Sequence, residues 1–181
     1  MKATDRRRSP LQRSEGVLLA ASQGLAVAGG AVLLAIAGVT VYSIVGRALP
    51  DVPGLAWWRP VRGDFEWVET GTALAIFAFL PYAQMKRAHV LVDLVTARAS
   101  DRTKAALAVP AQLLWAIVAG VVSWRMIVAT EALMTATYTQ TTMLLRMPLW
   151  WGYLPSTVCM AFLTITALFS VWRAVDEARR G

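Results

Sequence analysis

VLLAASQGLAVAGGAVLLAIAGVTVYSIV, residues 17–45, contains no charged side chain. About 20 consecutive apolar residues suffice to cross the hydrocarbon core of a bilayer as a helix. A helix that is apolar all round has no face to turn toward water, so it belongs in a membrane or a large core. This chain offers no large core. It has 181 residues, of which 57% are hydrophobic and only 16% charged. Three further stretches of the same kind follow, at 65–85, 105–133 and 149–171. The pattern predicts an all-α integral membrane protein with four transmembrane helices.

The charges then set the orientation. If the four spans alternate, one side holds Lys2, Arg6, Arg7, Arg8, Arg13, Lys86, Arg87, Arg98, Arg102, Lys104, Arg173, Arg179 and Arg180. The other holds Arg47, Arg59, Arg62 and Arg146, with Arg125 inside span three. Cytoplasmic loops carry the excess of Lys and Arg. Both termini are therefore expected in the cytoplasm, and the protein is expected as a multi-pass component of a bacterial inner membrane. The net charge of +7 is read as this topology signal and not as a nucleic-acid surface. The first apolar run is far longer than the roughly 7–15 residues of a signal-peptide core, so it reads as an uncleaved helix. Cys159, the only cysteine, allows no intrachain disulfide and no thiolate zinc site.

Residues 1–14 read as a disordered cytoplasmic tail, 15–175 as one membrane domain and 176–181 as a second tail. Pro81 is expected to kink span two or break its last turn, and Pro110 to bend span three. Between spans two and three, His89, Asp93, Thr96 and Ser100 recur at helical spacing while Leu91, Leu94 and Val95 fall on other faces. That is the pattern of an amphipathic helix lying in the membrane surface. Six of the eight tryptophans, Trp57, Trp58, Trp67, Trp124, Trp150 and Trp151, cluster toward the outer side. Aromatics anchor proteins at bilayer interfaces because the ring is apolar and the indole N–H is not. The same cluster suits a docking surface for an outer partner.

Few residues offer chemistry. One histidine cannot supply the ligand pair of a membrane cytochrome b, and no His/Glu cluster marks a zinc or di-iron site. No nucleophile accompanies His89, and no phosphate-binding glycine pattern is present. No enzyme activity and no cofactor are expected in this chain. A coupled carrier needs an acid near the midplane of the membrane. Spans one and four have none, and Glu66, Glu69 and Glu131 fall near outer ends. Arg47, Glu66, Glu69 and Arg125 fall at one depth and are expected to form a structural ion-pair network on the outer side. His89 and Asp93, an i, i+4 pair, are expected to orient the interfacial helix against lipid headgroups.

These elements together resemble the DctQ-type small permease of tripartite ATP-independent periplasmic (TRAP) transporters. The resemblance runs from about Arg47 to Trp151. It rests on Arg47 after span one, Glu69 opening span two, and Lys86-Arg87-Ala88-His89-Val90-Leu91-Val92-Asp93 after it. Thr141, Pro148, Trp150 and Trp151 before the last span complete it. The resemblance implies a fixed, non-catalytic scaffold with surface-lying arm helices. It implies a large permease partner that holds the substrate and sodium sites, and a periplasmic substrate-binding protein that docks over both membrane parts. Trp57, Trp58, Arg59 and Arg146 are then the candidate docking residues, and the process is sodium-driven uptake of an organic acid. Two other readings remain at this stage, a self-contained homodimeric exporter and a membrane anchor for a redox complex. An acid at the midplane of span one would favour the first and several inward histidines the second; the chain has neither.

Overall fold

The computed structural model of the chain describes residues 10–49, 58–86 and 101–180. Four helices fill these segments: α1 (Pro10–Ala48), α2 (Asp64–Met85), α3 (Asp101–Thr135) and α4 (Trp150–Arg180). Three contain stretches long and apolar enough to cross a membrane, Ser14–Ala48, Val109–Thr135 and Trp150–Asp176. Sequence reading put α2 in the same class. Its 22 residues reach roughly 33 Å. However, Asp64, Glu66, Glu69 and Gln84 dilute its apolar character, and it does not join those three. The helices also outrun the expected boundaries. Pro10 suits a first helical position, where its missing N–H is not needed, so α1 begins inside the expected tail. At the other end α4 continues to Arg180. Helix α2 passes through Pro81 and ends at Met85, and α3 passes through Pro110.

The helices pack side by side in the order α1, α2, α4, α3. Consecutive helices run in opposite directions, and contacts at each end show it. Glu66 at the start of α2 bonds to Leu144 and Leu145 just before α4. At the far end Glu15 of α1 pairs with Arg173 of α4, and Gln84 of α2 donates to Gln112 of α3 at 3.0 Å. The end carrying 58–63 and 136–149 is the loop end; the other is the terminal end.

Three seams hold the array, α1–α2, α2–α4 and α3–α4, and the first and last differ in character. Along α1 the residues turned inward are Ser22, Gly29, Ile36 and Ser43, seven apart. Along α2 their counterparts are Asp64, Gly71, Ala78 and Met85, also seven apart. The antiparallel register is regular. The Ser43 hydroxyl donates to Asp64, Ile36 fills the space above Gly71, and Gly29 lies against Ala78 and Ala75. Small residues let helix backbones approach where no water drives association. A Cβ on Gly29 would stand 3.0 Å from Ala78 Cβ and 3.2 Å from the Ala75 carbonyl oxygen, so any side chain there forces the two helices slightly apart. The α3–α4 seam is instead filled by side chains. Ala116, Ala119, Met160, Leu163 and Ala167 form a buried cluster, closed by Phe77 and Leu80 from α2 and by Trp115, Met126 and Val171. Threonine hydroxyls add to it. Thr130 and Thr157 share a hydrogen bond at 2.8 Å, and Thr164 donates to the Ala119 carbonyl at 3.2 Å. Outward, α1 and α3 expose Val27, Leu34, Val41, Leu114, Val121 and Trp124. An apolar exterior of this kind is what a helix shows to lipid or to another membrane helix.

Candidate functional site

The polar features converge on the loop end. Gly63, in the left-handed region at φ 69, turns the chain into α2 and leaves its carbonyl to accept from Glu66 and Trp67. A side chain at this position is disfavoured twice, by the backbone conformation and because a Cβ there would stand 2.6 Å from Leu145 Cγ. The turn presents Asp64 toward α1. Its carboxylate accepts from the Ser43 hydroxyl at 2.6 Å and from the Arg47 guanidinium. The Phe65 N–H donates to its other oxygen at 3.0 Å. The Ser43 hydroxyl and then the Arg47 charge favour the ionised form, so the Asp64 carboxyl lies below its ordinary range.

Glu66 follows two residues later, on the opposite side of α2. Its two carboxylate oxygens accept the backbone N–H groups of Leu144 at 2.7 Å and Leu145 at 3.0 Å. Those amides belong to a small hairpin. Thr141 and Pro148 form an antiparallel bridge, and Thr142 N–H donates to the Met147 carbonyl at 2.9 Å. Met147 N–H donates to Thr142 Oγ1 at 3.1 Å, and Leu149 N–H to the Gln140 carbonyl at 3.0 Å. Around the tip the amides of 144 and 145 face no backbone acceptor, and Glu66 supplies the acceptors they need. Arg146 closes the turn with φ 52, a conformation that costs a non-glycine residue roughly 1–2 kcal/mol.

The expected four-residue ion-pair network does not form. Arg47 meets Asp64, which sequence reading passed over, because Asp64 shares the α1-facing line with Gly71 and Ala78. Glu66 is about 200° away round the helix and faces the approach to α4. Glu69 and Arg125 are both exposed, and among the described residues neither makes an ion pair. Arg125 sits on α3 and Arg47 on α1, the two outer helices of the array, so they lie at opposite flanks. The signal that could have found Asp64 is the seven-residue line it opens on α2 with Gly71, Ala78 and Met85, matched on α1 by Ser22, Gly29, Ile36 and Ser43.

Of the docking candidates, Trp58 is half-buried. Its ring stacks on Tyr42, 5.0 Å between centroids, and its indole N–H points to the Tyr42 carbonyl at 3.4 Å. The backbone at 58–60 lies close over Gly46, where a Cβ would be 2.9 Å from the Pro60 nitrogen. Arg59 and Arg146 are exposed at the same end. Trp57, His89 and Asp93, with the whole amphipathic segment 88–99, lie outside the described residues. Among the described residues no three His, Cys, Asp or Glu side chains are grouped as a metal site would need.

The loop end thus binds its own backbone and presents arginines outward. Comparison with known proteins agrees with the resemblance read from the sequence. The family model for the DctQ component of tripartite ATP-independent periplasmic transporters matches residues 36–177. That range takes in the end of α1, all of α2 and α3, and nearly all of α4. Neither the search of curated proteins nor that of solved structures found a match. With most of its length, including the whole loop end, inside the matched range, the chain belongs to the DctQ component family of tripartite ATP-independent periplasmic transporters.

Proposed function

We propose that this chain is the small, non-catalytic membrane subunit of a TRAP transporter. It crosses the bacterial inner membrane four times with both termini in the cytoplasm. It scaffolds a large permease and helps dock a periplasmic binding protein during sodium-driven uptake of an organic acid. The observation that carries this reading is where the charges stand. From 16 to 46, 70 to 85, 109 to 124 and 150 to 172 the chain has no charged residue at all. Among the described residues the charged groups sit toward the two ends of the array. At the loop end Asp64 and Glu66 are occupied by Arg47, Ser43 and backbone amides. A carrier that couples ion and solute movement needs an ionisable group at depth. Here such groups must come from the large permease, and sodium is expected there. No cofactor is assigned to this chain.

The exposed apolar flanks of α1 and α3 support the scaffold role, since they offer wide surfaces to lipid and to another membrane subunit. Reconstitution tests the division of labour. Liposomes holding this chain alone are expected to show no organic acid uptake. Adding the large permease, its binding protein and an inward sodium gradient should restore uptake. Flux by the chain alone would overturn the proposal.

A further inference from the structure

The hairpin at 141–148 exposes apolar side chains where none is needed for packing. Met143 is 95% exposed and Leu144 70%. Both stand at the tip of a turn that spends an unusual amount of bonding on keeping one shape: a backbone bridge, the Thr142 hydroxyl and both oxygens of Glu66. Arg146 holds a left-handed conformation in the same turn. Strained residues persist where the surroundings over-determine them, and such places are often functional. The position is also informative. The hairpin leads directly into α4 and is gripped by α2, and these are the two central helices of the array. It therefore caps the middle of the bundle end, away from the flanks that α1 and α3 turn outward.

The charge around it is biased. Asp64 and Glu66 are engaged within the chain. Among the described residues the exposed charges near this end that make no ion pair are Arg59, Arg62, Arg125 and Arg146 against Glu69 and Glu131. A rigid apolar tip beside surplus arginine is complementary to a water-soluble protein with a small apolar hollow and an acidic rim.

We propose that the 141–148 hairpin is the docking element for the soluble binding protein of the transporter, with Met143 and Leu144 as its apolar anchor. Arg146 is its charged contact, and Glu66 is the positioning residue that fixes the tip. This rests on the functional reading above and adds the contact itself. Glu66 acts through the backbone of Leu144 and Leu145 and does not touch the partner.

The test uses the assembled membrane complex in nanodiscs, titrated with the soluble binding protein of the same transporter. Met143→Ser with Leu144→Ser changes only exposed side chains, so the complex should assemble normally while docking weakens about tenfold or more, as for a central anchor. Arg146→Gly suits the left-handed backbone and removes the guanidinium; docking should weaken and lose part of its salt dependence, and Arg146→Lys should recover part of it. Glu66→Gln offers one acceptor where two are used. It should weaken docking and speed hydrogen exchange at the 144 and 145 amides, with exchange in α3 and α4 unchanged. Wild-type docking by the Met143/Leu144 variant overturns the inference and leaves the family role intact. Failure of the wild-type complex to bind at all overturns both. A fluorophore at position 143 that nitroxide lipids quench strongly, or that reports a second copy of this chain, also overturns it.

Discussion

The α1–α2 seam and the α3–α4 core hold their helices together by opposite means. The first is thin: small residues such as Gly29, Ala75 and Ala78 let two backbones come close. The second is thick: Leu163, only 1% exposed, sits with Met160 among three helices, and threonine hydroxyls bond across the gap. In a membrane both work, because close packing and interhelical hydrogen bonds replace the hydrophobic effect between helices. They differ in how they fail. The thick core fails when volume is removed, the thin seam when volume is added.

The largest effect is expected in the core. Leu163→Ala should lower the stability of the purified protein by roughly 2–5 kcal/mol, since a buried leucine leaves a cavity. Thermal unfolding in detergent measures it, and a loss well under this range would mean α3 and α4 close over the gap. Next comes the thin seam. Gly29→Val should cost about 1–3 kcal/mol by overpacking, because the neighbours it meets are Ala78 and the Ala75 backbone, which cannot swing aside. Gly71→Ala meets the Ile36 side chain instead, whose terminal carbon can rotate away. It should be milder than Gly29→Ala in the same assay; the reverse order would show that the seam is set by α2 rather than by α1.

A smaller effect is expected from the hydroxyl pair. Thr157→Val removes the bond to Thr130 while keeping the shape, and interhelical hydrogen bonds in membranes average about 0.6 kcal/mol. A double-mutant cycle with Thr130→Val should return a coupling of that order.

The smallest effect concerns the outer clasp of the thin seam, because solvent screens it. Asp64 has its carboxyl pKa lowered from 3.8 by Ser43 and Arg47. The sign follows from linkage: the folded state holds the proton more weakly than the unfolded one, so the contribution is fully present above about pH 3.8 and fades as pH falls through the lower folded value. Asp64→Asn should flatten that acid-side slope in a melting series from pH 6 to 3, while Thr157→Val should leave it unchanged.

Much of the map was legible in the residues, and the misses have a common cause. The alternation of charge and apolar stretch located each helix to within a few residues at most ends, and the loss of Arg47 from its predicted partners came from one face assignment. A soluble helix declares its buried side through amphipathic contrast. A membrane helix does not, because lipid-facing and helix-facing positions are both apolar. Ser22, Gly29 and Ser43 mark the contact line of α1 only by size. Gly24 and Gly38 carry the same small residue on an open face, with nothing within 4 Å. The hairpin was missed for a second reason. Glu66 and Leu144 are 78 residues apart, and an acceptor for backbone amides leaves no residue-type signal in the partner.

By itself the sequence determined the helical class, the membrane environment and the ends to which charge is confined. Those depend on the summed transfer free energy of each segment, a property of one stretch of chain at a time. Only the tertiary structure decided the order α1, α2, α4, α3, the pairing of Arg47 with Asp64, and the grip of Glu66 on the hairpin. These depend on the rotation and register of each helix against its neighbours, and between apolar surfaces that choice is made by shape.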